Sequence, residues 1–239
     1  MIKAKKSLSQ NFLIDKNISR KIIDQTDIKN RVILEIGPGY GFLTEIILEK
    51  KPKKLILIEK DSNLKKYLED KYRNNKIVIL KEMDILNFNL NNYKNLIIIS
   101  NLPYNVSTKI ILYLFKYKKN ISEMILMIQK EVAEKFDYNR PKMNKYKFIT
   151  NLVSTFNICF DVSLKVFKPK PKVKSSVVKF VFNKKEFDFN RAILFSSLIF
   201  KNVRKKIYNN IKTNKDIDIY NRRVNELSIN ELLKIYNLF

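Results

Sequence analysis

The segment Asn101-Leu102-Pro103-Tyr104 carries residue types, in an order, that suit the transfer of a methyl group to an exocyclic amino nitrogen. The amine of adenine is a poor nucleophile because its lone pair is delocalised into the ring. Two acceptors on its N–H bonds pull the nitrogen towards tetrahedral geometry and aim the lone pair at the methyl carbon. The side-chain oxygen of Asn101 and the main-chain carbonyl of Leu102 are such a pair. Pro103 fixes the turn and biases Leu102 towards an extended conformation. Tyr104 offers a flat face to a flipped-out base, worth ~1–3 kcal/mol by analogy with single-strand binders. No strong general base is required, since the nitrogen becomes acidic once alkylated, and positioning supplies the catalysis. Taken alone, the same four residues are also an ordinary strand running into a proline turn.

A second cluster lies upstream. The chain has three glycines, and all fall within five residues at Gly37, Gly39 and Gly41. A chain so poor in glycine keeps it where the backbone needs positive φ or where a ligand comes against bare main chain. Glu59 and Asp84 each end an apolar run. A carboxylate at position 59 suits the two hydroxyls of a ribose, and one at position 84 suits an adenine amino group. The spacing is Gly-x-Gly-x-Gly, not the dinucleotide Gly-x-Gly-x-x-Gly, and no lysine follows as in a P-loop. A lone glycine cluster is also a plain tight turn, and a strand-end acid is often only a helix cap. Together, the glycine turn, Glu59 and Asp84 would face one crevice.

The elements that must hold these groups follow from the hydrophobic pattern. Short apolar runs at 31–36, 54–59, 76–80, 95–100 and 123–128 read as buried parallel strands. Helical patterns intervene at 42–50, from an Asp61 or Ser62 cap to Tyr72, from Ser107 through Phe115, and at 129–136. Residues 156–166 and 175–182 read as two further strands, an antiparallel edge pair. This alternation predicts an α/β protein, a doubly wound and mostly parallel seven-stranded sheet. Beyond residue 187 the strand pattern stops and 189–201, 202–212 and 228–238 read as helical. The expected division is therefore 1–186, a cofactor-binding catalytic domain, and 187–239, a small helical domain.

Composition narrows the function further. The 239 residues include 48 Lys and Arg against 23 Asp and Glu, a formal charge of +25. Such a surface favours a polyanionic partner, although a general drift towards lysine across the chain accounts for part of it. With no histidine, a Ser-His-Asp triad and histidine metal ligands are excluded, and the single Cys159 excludes cysteine-rich zinc sites and a disulfide framework. No metal is expected. No apolar run is long enough to span a bilayer and no signal peptide is seen, so the expected location is cytoplasmic and no membrane partner is expected.

With these residues in view, the chain resembles the ribosomal RNA adenine N6-dimethyltransferases, the dimethyladenosine transferases of small-subunit rRNA. The resemblance runs through KKSLSQNFLID (5–15), EIGPGYGFLTE (35–45), IEKD (58–61), MDIL (83–86), SNLPYNVST (100–108), MIQKEVAEKF (127–136), VFKPKPKVKSSVVKF (166–180), FKNVRKKIYNNI (200–211) and the closing 226–239. It implies the S-adenosylmethionine-dependent methyltransferase fold with S-adenosyl-L-methionine as donor. It implies cofactor contacts by Gln10, Asn11, Leu13, Gly37, Glu59, Asp84 and Asn101, and a catalytic segment of Asn101, Leu102, Pro103 and Tyr104. Phe167 is implied as a second stacking face opposite Tyr104, and Arg204 and Lys205 as RNA phosphate contacts. The implied activity is dimethylation of N6 on two adjacent adenosines in a hairpin loop near the 3′ end of small-subunit rRNA. The expected partner is that rRNA, within an assembling small subunit, and the expected state is a monomer. The chain departs from the family pattern at Ser9, at 145–151 and at Val203. Rival readings are a methyltransferase of large-subunit rRNA, a non-catalytic nucleic-acid-binding factor on the same scaffold, and a DNA adenine methyltransferase, which usually carries aspartate at the position of Asn101.

Overall fold

The structure, a computed structural model, describes residues 11–211 and 218–239. Two compact units emerge, one of residues 1–133 with 157–182, the other of 134–156 with 183–239. Compactness thus groups 134–156 with the C-terminal helices, whereas the sequence pattern sets its division at the last strand.

The first unit is built on strands that the sequence marks as continuous apolar runs. They are β2 (Val32–Ile36), β3 (Lys54–Glu59), β4 (Val78–Glu82), β5 (Leu96–Asn101) and β6 (Ile121–Gln129). Strand β7 (Ser154–Val162) and the last strand, β9 (Ser175–Phe182), complete a seven-stranded sheet of order β4-β3-β2-β5-β6-β9-β7. Strands β2 to β6 pair in parallel, and β9 runs antiparallel to β6. The two strands of the expected edge pair are neighbours, with β9 between β6 and β7. Leu34, Ile56 and Ile98 face one another in register and are fully buried, which is why these strands read as unbroken rather than alternating.

Helices α2 (Phe42–Glu49), α3 (Ser62–Tyr72) and α4 (Ser107–Phe115) cross between the parallel strands as the pattern requires, and α5 (Lys130–Phe136) follows β6. The Asp61 side chain caps α3 by accepting from the Asn63 N–H. Before them stands α1 (Lys16–Ile23), capped by Asp15, with Ile22 and Ile23 in the core. Two two-residue strands, β1 (Phe12–Leu13) and β8 (Phe167–Lys168), pair antiparallel and form a second, small sheet.

The second unit contains α6 (Lys145–Val153), α7 (Phe189–Ile199) and α8 (Ile229–Leu238). Phe148, Phe195 and Tyr236 form its aromatic core, with ring centroids 5.2–5.6 Å apart. The helix expected over 202–212 is not formed within the described residues. Turns fill 200–206, followed by a 3-10 turn at Ile207–Asn209. Asparagine explains the difference: the Asn210 side chain donates to the carbonyls of Ile199 and Asn202, ending α7 where an uninterrupted helix would need those groups. The departure at 145–151 lies in α6. There Lys147 is buried, and its ammonium donates to the carbonyls of Arg140, Pro141 and Lys142.

Candidate active site

The order of the sheet places the site. The chain runs outward from β2 to β3 and β4, then returns to the other side of β2 with β5. A ligand crevice is expected at the carboxyl ends of strands where the order reverses. The Ser100 hydroxyl donates to the Ile36 carbonyl at this point, tying the ends of β2 and β5 together. The crevice there is lined by Asn11, Gly37, Glu59, Asp84, Asn101, Leu102, Pro103 and Tyr104, so eight expected site residues from five separate segments meet in one place.

The glycine turn leaves one wall open. Gly37 has φ +64°, and a Cβ added there would meet nothing within 4 Å, so bare backbone faces open space. Gly39 answers a different need: a Cβ there would lie 2.7 Å from the Phe12 ring, which packs across the turn. Phe12 in turn makes an edge contact to Tyr40, with centroids 4.7 Å apart.

Glu59 is buried at the end of β3. One carboxylate oxygen accepts from the Asp61 N–H at 2.9 Å and the other from the Gly39 N–H at 3.3 Å. A carboxylate can accept about four bonds, so acceptor capacity remains towards the crevice. Burial raises its pKa, partly opposed by those backbone donors. Asp84 follows β4. Its Oδ1 accepts from the Leu86 N–H at 3.0 Å, capping a short 3-10 turn, and its Oδ2 accepts from the Lys60 ammonium at 3.0 Å. Burial pulls the Asp84 carboxyl up, but the Leu86 N–H and Lys60 outweigh it and hold it below the usual range.

The catalytic candidate is held with its acceptors bare. Asn101 Nδ2 donates to the main-chain carbonyl of Asn11 at 2.9 Å. A carbonyl only accepts, so this bond fixes which way round the amide stands. Asn101 Oδ1 is buried and, among the described residues, has no hydrogen-bond partner. Leu102 donates its N–H to the Met127 carbonyl at 3.1 Å, and among the described residues no donor reaches its own carbonyl. A buried acceptor left without a donor costs ~1–3 kcal/mol, so Asn101 Oδ1 at the crevice is open to a donor from a ligand or from water. Tyr104 lines the crevice, and its hydroxyl shares a 2.6 Å hydrogen bond with Ser175 Oγ on β9. Burial pushes the Tyr104 hydroxyl up, with the Ser175 bond opposing.

Four of the expected contacts are not part of the crevice lining, and a fifth falls outside the described residues. Leu13 and Phe167 pair across β1 and β8, and both are buried in the main hydrophobic cluster. Their side chains are core, because in a strand alternate residues face opposite ways and the crevice side belongs to Phe12. The Phe167 side chain thus lies in the core and not in the crevice lining. Arg204 and Lys205 are exposed in the C-terminal unit. Gln10, like the departure at Ser9, lies outside the described residues. Conversely, Phe12, Lys60, Met83, Ile85 and Ser175 were not singled out by the sequence. The first four line the crevice, and Ser175 anchors Tyr104. Phe12, in a strand of only two residues, and Ser175 both join the site only through folding.

The family model described as "Ribosomal RNA adenine dimethylase" matches residues 1–239. A ribosomal RNA small subunit methyltransferase A from Hydrogenobaculum is 39% identical, covering 99% of this chain and 94% of its own. Its counterpart from Malacoplasma penetrans is 38% identical over 87% of this chain and 78% of its own. In structure the chain is similar to a dimethyladenosine transferase from Plasmodium falciparum (TM-score 0.80, 23% identity, 95% and 98% coverage). It is also similar to the 23S rRNA methyltransferase ErmE (TM-score 0.75, 18% identity, the same coverage). These two likenesses establish the fold, the mostly parallel seven-stranded sheet of the methyltransferases.

Proposed function

The chain belongs to the ribosomal RNA adenine dimethylase family, and from that membership we propose how it works as an S-adenosylmethionine-dependent dimethyltransferase of small-subunit rRNA. The target is N6 of two adjacent adenosines in a hairpin loop near the 3′ end, methylated during assembly of the small subunit by a cytoplasmic, monomeric enzyme. The observation that carries the mechanism is the buried, unpartnered Asn101 Oδ1 beside the Leu102 carbonyl.

The residues present fit the cofactor. Gly37 leaves open space at the turn, Glu59 keeps acceptor capacity for ribose hydroxyls, and Asp84 offers acceptors for an adenine amino group. The apolar side chains of Ile58, Met83 and Ile85 line the same crevice and would hold the purine. When bound, the sulfonium supplies an electrophilic methyl group. The protein's own part is positioning. Asn101 Oδ1 and the Leu102 carbonyl accept the two N–H bonds of the target amine and localise its lone pair. Tyr104, held from behind by Ser175, supports the base as a face. The proton leaves the alkylated nitrogen without a dedicated strong base.

Incubation with labelled cofactor and unmodified small subunits, followed by mass spectrometry of the rRNA, tests this reading. Dimethyladenosine at two neighbouring positions is expected. Its absence, or its appearance in large-subunit rRNA instead, would overturn the substrate assignment. Failure to bind S-adenosylmethionine in calorimetry would favour a non-catalytic RNA-binding factor.

A further inference from the structure

We propose that the loop joining β8 to β9 is an RNA-backbone guide, in which Lys168, Lys170, Lys172 and Lys174 hold phosphates on either side of the base presented to the crevice. The inference rests on the methyltransferase reading and names how that same site takes its polymer.

The loop has an unusual construction. Lysine occupies every second position from 168 to 174, and no acidic residue occurs between Asp161 and Glu186. Phe167, Pro171 and Ser175 are buried, whereas all four lysines are exposed. The apolar and small residues therefore pin the loop at regular intervals and leave its charges in solvent. Among the described residues none of the four makes an ion pair. Lys174 adds to the pull that lowers the Asp161 carboxyl, but the bonds of that carboxylate go to Lys130 and Ser176. Elsewhere in the unit Lys16, Lys50, Lys60, Lys65 and Lys71 each have a carboxylate within 4 Å.

Both ends of the loop are fastened to crevice walls. Lys168 pairs with Phe12 across the small sheet, and Ser175 is bonded to Tyr104. A row of unneutralised cations is thus strung between a residue that flanks the glycine turn and the residue that would stack the base. A partner that enters one base at a time into this crevice carries a phosphate on each side of that base. Phosphate neutralisation by lysine is sequence-independent and orients the strand without reading it. Exposed lysines without an ion pair among the described residues also occur at Lys29, Lys51 and Lys53, so what sets this row apart is that both of its ends are fastened to residues of the crevice wall.

The experiment measures affinity for a fluorescein-labelled RNA hairpin with two adjacent loop adenosines, across a salt series. The loop variant K168Q/K170Q/K172Q/K174Q is compared with K29Q/K51Q/K53Q/K54Q. The latter makes the same charge change at exposed lysines near the amino ends of β2 and β3, away from the crevice. Each lost phosphate contact flattens the dependence of log affinity on log salt by ~0.7–0.9. The loop variant is expected to flatten it by about 3 and the control by less than about 1. Cofactor affinity should be unchanged in both, and the rate at saturating RNA should stay within about two-fold in the loop variant while KM rises. An unchanged slope in the loop variant, or equal flattening in both, overturns the guide. Failure of the unsubstituted chain to methylate RNA while it still binds cofactor falls on the proposed function instead.

Discussion

The substitution Asn101→Asp tests the central geometry most sharply, because it changes one heavy atom. In the parent, the amide nitrogen donates to the Asn11 carbonyl at 2.9 Å, while Oδ1 is buried and free. An ionised aspartate at this position would set a carboxylate oxygen against that carbonyl, losing the bond and facing acceptor with acceptor. It would also bury a charge without a partner. A lost bond of this kind costs ~1–3 kcal/mol, and removing a carboxylate from water adds to it. A combined ~3 kcal/mol corresponds to about two pKa units, which lifts the carboxyl from about 3.9 to about 6. Protonated, the carboxyl regains a donor for Asn11 and keeps an oxygen for the substrate amine. The variant should therefore work only in its protonated form, with activity falling as pH rises through the lifted pKa. At about pH 7.5 roughly 3% is protonated, a ~30-fold loss relative to the parent, shrinking to about two-fold near pH 6. Single-turnover methyl transfer from about pH 5.5 to 8.5, expressed as the ratio of variant to parent, reads this directly. Asn101→Ala, which cannot be protonated, should lose about 100-fold or more at every pH. If the aspartate ratio is as flat as the alanine ratio, the Asn11 carbonyl does not orient the residue and the mechanism is misassigned.

Glu59→Ala should weaken S-adenosylmethionine binding about 10-fold or more in calorimetry, by removing an acceptor that two backbone N–H groups already hold in place; unchanged affinity would show that the ribose does not sit there. Tyr104→Phe and Ser175→Ala should each lower the transfer rate by a few-fold, and the double variant should be no worse than either alone, because both remove one shared hydrogen bond. Additive losses would separate the two residues, and Ser175→Thr should restore the bond. Glu35 is fully buried, accepts from the Thr44 hydroxyl at 2.6 Å, and is pushed by burial from 4.5 to about 8. Its raised pKa means that the folded state holds a proton the unfolded chain has released. Its contribution to stability is present in full below about pH 4.5 and is lost as pH rises through about 8. Urea midpoints across that window should fall with pH in the parent and fall less steeply in Glu35→Gln; identical slopes would refute a neutral Glu35.

Much of the sheet was legible because parallel strands buried on both faces must be continuously apolar. The runs ending at Ile36, Glu59 and Asn101 stand out in a chain otherwise rich in lysine and asparagine. The meeting of Gly37, Glu59, Asp84 and Asn101 followed from the same pattern, since strand-end residues of a parallel sheet share one edge. Two-residue strands were not legible, as Phe12–Leu13 and Phe167–Lys168 are too short to show any period. Hence the sides taken by Phe12 and Leu13 were open until the pairing was known, and so was the core placement of the Phe167 side chain. The basic segment after Phe200 failed for the opposite reason. Val203, Ile207 and Ile211 are spaced like a helix face, but the Asn210 side chain donates to the main-chain carbonyls of Ile199 and Asn202 and competes with helix formation.

The paired oxygens of Asn101 and Leu102 also bear on when the enzyme lets go. An unmodified adenosine brings two N–H groups, the monomethylated base brings one, and the dimethylated base brings none. The first transfer can engage both oxygens and the second only one, so the two rounds should respond unequally to loss of either. After the second, two methyl groups cover acceptors that they cannot satisfy and from which they exclude water, at ~1–3 kcal/mol for each. The grip that selects an unfinished base is thereby the force that expels a finished one, and a stopping point at two methyl groups is written into the count of hydrogens.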